Sequence, residues 1–210
     1  MIRVLLVDDH RLVRRGLAQL IRETPGMEVC GEAGDGQSAL DIVRSSEADV
    51  VVLDLSMPGR GGLDVLQELK AESPGARIII LTMYPEEQYA IRTLREGAAA
   101  YLTKASAPEE LIQAIRTVAA GKRYITPSVA DRLATWLEDT SQRLPHDSLS
   151  SRELQVLIRI GTGKEVKEVA GELNLSIKTV STYRSRILQK MNLTTNAQLI
   201  RYAIQHRLAE

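Results

Sequence analysis

Five polar side chains, placed at the ends of short apolar runs, have the types and the order needed for phosphoryl transfer. Asp54 is the candidate nucleophile, because a carboxylate can attack phosphorus and hold the transferred group covalently. Asp8 and Asp9 are candidate ligands for Mg²⁺, which binds oxygen atoms and keeps positions open for a phosphate oxygen. Thr82 and Lys104 could then stabilise the transferred oxygens with a hydroxyl and an ammonium group.

The elements that position these side chains follow from an alternation of two hydrophobic periods over residues 2–120. Apolar runs predict strands over 2–7, 27–31, 50–53, 77–81 and 99–102, and apolar residues three and four apart predict helices over 11–22, 37–44, 63–71, 86–95 and 108–120. Five successive β–α units indicate a doubly wound parallel sheet with the strand order 2-1-3-4-5. Because such sheets bind ligands at the carboxyl ends of their strands, the five side chains should converge on one crevice.

Each of these residues also has an ordinary structural interpretation. Asp54 could cap the glycine-rich turn that follows it, and either Asp8 or Asp9 could cap the first helix. One cap does not need two acids, however. Three carboxylates in one crevice would also raise one another's pKa unless a cation lay among them, and we therefore expect Mg²⁺ there.

The composition, with 44% hydrophobic and 26% charged residues, is that of an ordinary globular protein, and 210 residues suit two domains. No apolar run reaches the length of a membrane span, and the N-terminus lacks the ordered regions of a signal peptide, so we expect a cytoplasmic protein. The single cysteine, Cys30, excludes an internal disulfide and a cysteine-based zinc site; we interpret it as a small buried hydrophobe. His10 and His146 show no metal-ligand spacing, and we interpret both as surface residues.

Charge is divided unevenly along the chain. Residues 1–147 contain 17 Lys and Arg against 22 Asp and Glu, a net charge of −5, whereas residues 148–210 contain 10 against 5, a net charge of +5. This asymmetry indicates that only the second part meets a polyanion. We place a linker with a short amphipathic helix over 129–136 between the two parts.

The basic part carries the pattern of a helix-turn-helix. Ser150 and Glu153 match the ends of a capping box ahead of a first helix. Further helices are predicted over 165–173, 177–191 and 195–207, with a tight turn at 174–175 and a plausible cap at Ser176. A short helix, a tight turn and a longer helix are typical of a DNA-binding helix-turn-helix.

The predicted helix over 177–191 has two faces. Its apolar stripe contains Val180, Ile187 and Met191, with Tyr183 beside them. The other positions carry small hydroxyls, an amide and cations that suit phosphates and base edges: Lys178, Ser181, Thr182, Arg184, Ser185, Arg186, Gln189 and Lys190. A solvated face with ordinary charges is the alternative, but the net charge and the order of the helices favour DNA binding.

The first part of the chain resembles the receiver domain of two-component response regulators. The resemblance lies in the order Asp-Asp, Asp, Thr and Lys across five β–α units and in the motifs VDDH, DLSMPGRGGLDVL, ILTMY and GAAAYLTK. The NarL/FixJ class is the most similar, and the resemblance covers residues 1–121. It implies that Asp54 accepts phosphate from a sensor histidine kinase and that the backbone carbonyl of Ser56 completes the Mg²⁺ shell. It also implies that Tyr101 is a switch residue, although a strand aromatic can also be an ordinary part of the core.

Residues 148–210 resemble the LuxR-type DNA-binding domain, on the motifs RE at 152, KEVA at 167, KTV at 178 and KMNL at 190. This resemblance implies that Ser181, Thr182 and Ser185 face bases. It further implies that Lys178, Thr179 and Lys190 lie near phosphates.

Together these patterns predict a transcriptional response regulator and not an enzyme. It has a receiver domain (1–121), a linker (122–147) and a helix-turn-helix domain (148–210). We expect it to bind double-stranded DNA as a homodimer when phosphorylated, with RNA polymerase as a further partner and no membrane contact. A metal-dependent phosphohydrolase is the rival, but Ser56 stands where that enzyme needs a general acid, and a serine hydroxyl is a poor acid. An adaptor that binds no DNA would not need the basic helix-turn-helix.

Overall fold

The computed structural model of the chain describes residues 1–57, 62–138, 144–173, 175–206 and 208–209. The contacts between residues divide the chain into two units, Met1–Leu137 and Glu138–Glu210. The first unit has the predicted α/β architecture and the second is all-helical, so the predicted fold class is confirmed. None of the helices within the described ranges is long and apolar enough to cross a membrane.

A five-stranded parallel sheet forms the centre of the first unit, and its strand order is the predicted 2-1-3-4-5. The strands are β1 (Ile2–Val7), β2 (Met27–Ala33), β3 (Val50–Leu53), β4 (Arg77–Thr82) and β5 (Ala100–Thr103). The helices between and after them are α1 (Arg11–Glu23), α2 (Gly36–Ser45), α3 (Gly62–Glu72), α4 (Glu86–Arg95) and α5 (Pro108–Ala119). The predicted bounds differ from these by no more than two residues at any end.

Helices cover both faces of the sheet, which explains why its central strand, β3, is apolar throughout. All four residues of β3 are buried. Successive side chains of a strand point to opposite faces: Val4 and Leu6 pack in one cluster with residues of α1 and α5. Leu5 lies on the other face near α2, where a Cβ added to Gly31 would lie 2.8 Å from Ile42 and 3.1 Å from Leu5.

The helix predicted in the linker is α6 (Pro127–Glu138), and its contacts lie with α4 of the first unit. The Thr126 hydroxyl, just before α6, donates to Glu86 Oε1 over 3.2 Å. Arg132 pairs with Glu87, and the Arg95 guanidinium lies 5.2 Å from the ring centroid of Trp136. These three contacts hold α6 against α4.

The described residues of the second unit form four α-helices, and the two caps predicted from the sequence are present. They are α7 (Ser151–Gly161), α8 (Val166–Glu172), α9 (Ile177–Lys190) and α10 (Asn196–Gln205). The capping box predicted at Ser150 and Glu153 is present, and Ser176 caps α9 by accepting the Thr179 N–H over 3.0 Å. The core of this bundle contains Leu157, Val169, Val180, Ile187 and Leu199.

Two interpretations from the sequence were wrong. Cys30 is half-buried and not a core residue. His146 is not a free surface residue, because its Nδ1 atom lies 2.8 Å from the Tyr202 hydroxyl and its ring packs near His206. Most of the turn predicted after Asp54, and Asn174 of the turn at 174–175, fall outside the described residues.

Candidate functional site

The sheet register brings the predicted carboxylates to one edge of the first unit. Val7 and Leu53 are paired in register on neighbouring strands, so the residues that follow them, Asp8 and Asp54, leave the sheet at the same level. The Asp54 N–H donates to Val7 O over 2.9 Å and continues this pairing. At the other end of the crevice the Lys104 N–H donates to Thr82 O over 2.8 Å.

Lys104 joins the two buried aspartates. Its Nζ atom lies 2.7 Å from Asp8 Oδ2 and 2.7 Å from Asp54 Oδ2, and all three side chains are at least nine-tenths buried. The second oxygen of Asp54, Oδ1, accepts the Ser56 N–H over 2.9 Å. Burial alone would lower the pKa of Lys104, but its bonds to Asp54 and Asp8 outweigh burial and raise that pKa, so Lys104 is a cation at neutral pH.

The acidic crevice has the composition of a divalent-cation site. Single ligand atoms of Asp8, Asp9, His10 and Asp54 lie within 4.8 Å of one another. Three aspartates against one lysine give this crevice a formal net charge of −2. Asp9 Oδ1 is buried and accepts no hydrogen bond from the described residues, although His10 Nδ1 lies 2.9 Å from it. These donors fit Mg²⁺, which takes carboxylate oxygens and keeps further positions open.

Thr82 lies at the same rim with its side chain shielded from solvent. Its Oγ1 atom is 3.3 Å from the Ser56 hydroxyl, which connects the end of β4 to the segment after Asp54. Gly62 supports that segment from behind, because a Cβ there would lie 2.4 Å from Leu55 Cα and 2.8 Å from Asp54 O. Any larger residue at Gly62 would push against the backbone that carries the Asp54 carboxylate.

Tyr101 is buried in β5, and its hydroxyl holds the loop between β4 and α4. It donates to Tyr84 O over 2.9 Å, with Pro85 O at 3.4 Å. Burial raises the pKa of Tyr101 well above its usual range, so the hydroxyl keeps its proton. Tyr101 is therefore a core residue, as one of the two interpretations from the sequence holds, and its hydroxyl contacts the loop that follows Thr82.

The exposed side of α9 agrees with the predicted DNA-facing side only in part. Lys178, Thr182, Ser185, Arg186, Gln189 and Lys190 are exposed, whereas Thr179, Ser181 and Arg184 are half-buried. The predicted apolar stripe is buried. The Thr182 and Ser185 hydroxyls donate to Lys178 O and Ser181 O, four residues earlier, over 2.9 and 3.0 Å. They therefore present lone pairs to a ligand while their protons stay inside the helix.

Two cations of α9 are engaged within the second unit. Lys190 Nζ lies 2.7 Å from Glu153 Oε2, a carboxylate that also accepts the Ser150 N–H over 2.6 Å. Burial works to raise the pKa of Glu153, but these bonds outweigh it and the pKa is lowered. Arg184 Nε donates to Asn196 Oδ1 at the start of α10. A contact of either residue with phosphate would have to use its remaining N–H donors.

His10 is exposed, so its interpretation as a surface residue is confirmed. The sequence shows no metal-ligand spacing for it, yet its ring lies beside the Asp9 and Asp8 carboxylates. It occupies the N-cap position of α1 without a capping bond from its side chain, and its backbone N–H donates to Asp8 Oδ1 over 2.8 Å. Its position directly after the two acids was the signal available in the sequence, because the backbone turn that ends β1 must carry it past the crevice.

Two family descriptions match the chain. "Response regulator receiver domain" matches residues 4–116, and "Bacterial regulatory proteins, luxR family" matches residues 147–203. The two matches are consecutive and together cover most of the chain.

Individual relatives match over nearly the full length. The response regulator UvrY of Escherichia coli (strain K12) is 41% identical over 209 residues, which are 99% of this chain and 96% of the relative. The response regulator GacA of Pseudomonas aeruginosa is 39% identical over 211 residues, or 100% of this chain and 99% of the relative. Among solved structures, RcsB from Salmonella enterica serovar Typhimurium, bound to a promoter in the presence of phosphomimetic BeF3−, matches with a TM-score of 0.62 and 28% identity, over 96% of this chain and 97% of that one. The chain therefore belongs to the NarL/FixJ family of two-component response regulators, with a receiver domain and a LuxR-type DNA-binding domain.

Proposed function

We propose that phosphorylation of Asp54 by a sensor histidine kinase switches this regulator between two states with different affinities for DNA. The observation that carries the proposal is the buried Asp54 carboxylate, held 2.7 Å from Lys104 Nζ beside two further aspartates. A carboxylate in this setting can act as the nucleophile that attacks a phosphoryl group. The negative charge on the oxygens of that group must be neutralised by cations around it.

Each residue of the crevice has a role in this proposal. Asp8, Asp9 and Asp54, with the Ser56 carbonyl, would hold Mg²⁺, whose charge would neutralise the phosphoryl oxygens. Lys104 is already a hydrogen-bond donor at Asp54 Oδ2 and would donate to a phosphoryl oxygen after transfer. Thr82 would donate to another of these oxygens.

The proposed switch between the unphosphorylated and phosphorylated states depends on hydrogen bonds that form in only one of them. A ligand or modification shifts a two-state equilibrium only through contacts that differ between the states. A Thr82 bond to a phosphoryl oxygen would move the end of β4 and so the loop whose carbonyl the Tyr101 hydroxyl holds. We propose that Tyr101 responds to this movement as the switch residue.

DNA is the proposed ligand of the second unit, and α9 is the proposed recognition helix. Lys178, Thr179 and Arg186 would contact phosphates, and Ser181, Thr182 and Ser185 would contact bases as hydrogen-bond acceptors or through the Thr182 methyl group. For Arg184 and Lys190 we now propose a supporting role, because Asn196 and Glu153 engage them. Phosphorylated chains would bind as a homodimer on half-sites about 10 base pairs apart, in the cytoplasm and with RNA polymerase as a further partner.

A regulator is favoured over a phosphohydrolase at this site. A hydrolase with Asp54 as its nucleophile needs a proton donor for the leaving group. Ser56, which stands in the expected position, has a hydroxyl near Thr82 and no titratable proton near neutral pH.

The test is phosphate incorporation from a small phosphodonor with Mg²⁺, followed by DNA binding of the labelled chain. Asp54→Asn should incorporate none, because an amide oxygen is too weak a nucleophile, and should show no gain in DNA affinity. Asp131→Asn is the matched control, since Asp131 is an exposed aspartate of α6 in the same unit. Labelling of Asp54→Asn at the rate of the parent would place the phosphorylated residue elsewhere.

A further inference from the structure

We infer that Ile177 is a specificity-determining residue that contacts the C5 methyl group of a thymine in the DNA site. This inference rests on the proposed DNA binding by α9. It adds an apolar contact to a recognition surface that the sequence pattern described as hydroxyls and cations.

The position of Ile177 is that of a base-reading residue. It is the first residue of α9, directly after the cap residue Ser176. Recognition helices enter the major groove with their N-terminal residues against the base edges. The net charge of +5 on residues 148–210 draws this surface towards a polyanion.

Ile177 is not part of the hydrophobic core. Its side chain is 53% exposed, whereas Val180 and Ile187 on the same helix are fully buried. The helical spacing of 100° per residue places Ile177 on the flank beside Ser181, at the edge of the exposed face that carries Lys178 and Ser185. The core of the bundle therefore does not explain an isoleucine here.

The polar groups around Ile177 are largely satisfied within the helix. The Ser176 and Thr179 hydroxyls lie 2.8 Å apart, and Ser176 Oγ also accepts the Thr179 N–H. The Thr182 and Ser185 protons are bonded to backbone carbonyls one turn earlier. The apolar surface of Ile177 is thus available for a new contact without breaking an existing bond.

Thymine is the base that an apolar side chain can select in the major groove. Its C5 methyl group distinguishes it from the other three bases there, and apolar residues contact it. Burying one methyl-sized group contributes about 0.8 kcal/mol, which corresponds to about fourfold in affinity.

The experiment combines a base change with a side-chain change. The full-length chain first selects a duplex from a randomised pool, and each thymine of that duplex is then replaced singly by deoxyuracil, which removes only the methyl group. The parent should bind about fourfold more weakly to a singly substituted duplex when the altered base is the thymine that Ile177 contacts, in either half-site. Ile177→Ala should bind the unmodified duplex more weakly than the parent, by a similar factor. Its affinity should no longer change when that thymine is replaced by deoxyuracil. Ile177→Val should respond to the base change to an intermediate extent.

Ile204 provides the matched control, because it is an isoleucine of α10 with a similar exposure of 58%. Ile204→Ala should keep the affinity and the deoxyuracil profile of the parent. An unchanged profile in Ile177→Ala, with or without a uniform loss of affinity, would overturn the inference, since the side chain would then support the helix, the backbone contact or a dimer. Failure of the proposed function would look different: the parent itself would select no duplex, even at low salt.

Discussion

Replacing Lys190 tests whether this lysine supports the fold or contacts DNA. Its Nζ atom lies 2.7 Å from Glu153 Oε2, and the two side chains are 41% and 3% exposed. Removing one partner of a fully buried pair costs about 3–5 kcal/mol, whereas exposed pairs contribute about 0.2–1 kcal/mol. Because water reaches Lys190 but not Glu153, we expect Lys190→Met to destabilise the second unit by about 1–2 kcal/mol.

Hydrogen exchange measured on peptides of α7 and α9 is the suitable assay, because a global melting curve would mix the two units. The expected loss of stability corresponds to exchange about 5- to 30-fold faster in the most protected amides of the second unit. Lys178→Met, an exposed lysine on the same helix, is the control and should leave exchange nearly unchanged. Lys190→Met combined with Glu153→Gln should be less destabilised than Lys190→Met alone, because the buried charge is then removed as well.

The destabilisation caused by Lys190→Met should change with pH in a definite direction. The pKa of Glu153 is lowered from its ordinary value of 4.5, so its contribution to stability is present above pH 4.5 and is lost as the pH falls through the folded-state pKa. Without Lys190, burial should dominate and raise that pKa, so acidification would protonate the carboxylate and relieve the variant. The difference in stability between parent and Lys190→Met should therefore begin to narrow above pH 4.5, as the pH falls through the raised pKa of the variant, and should be lost below the lowered pKa of the parent. If hydrogen exchange is unchanged in Lys190→Met and the salt dependence of DNA binding is weaker, Lys190 does not stabilise the second unit through Glu153. It would then be a residue that contacts phosphate.

Four further predictions follow from the same contacts. Thr82→Ala should still incorporate phosphate at Asp54 but should show a smaller gain in DNA affinity, and a full gain in the labelled protein would contradict its coupling role. Asp9→Ala should raise the Mg²⁺ concentration needed for labelling by at least about tenfold, a loss typical even of outer-shell partners; an unchanged metal titration would remove Asp9 from the site. Lys178→Ala should reduce the salt slope of DNA binding by about one unit without changing which sequence is preferred, as measured by competition at two salt concentrations. The fluorescence of Trp136, the single tryptophan, should change on phosphorylation, because Arg95 of α4 lies over its ring and α4 follows the loop held by Tyr101; the same change in Asp54→Asn would show that it does not report the modification.

Local sequence determined much of the first unit. An apolar run that is buried on both faces must end where the polar residues begin, so the ends of β1, β3, β4 and β5 could be placed within one or two residues. Since parallel strands present their carboxyl ends at one edge, Asp8, Asp54, Thr82 and Lys104 could be assigned to one crevice before any coordinates. Caps were equally predictable, because Ser150 with Glu153 and Ser176 act within a single turn.

The tertiary structure alone decided which of these side chains pair, since an amphipathic pattern specifies a face but not the partner on that face. The sequence showed that Lys104 lies at the crevice, but not that it bridges Asp8 and Asp54 at once. It assigned Lys190 to DNA but did not show that a carboxylate 37 residues away engages it. Nor did it show that His146 meets Tyr202, 56 residues further along the chain, or that α6 meets α4. Such contacts depend on how whole helices pack. Packing depends on the shape and charge of surfaces formed by residues that are far apart in the sequence.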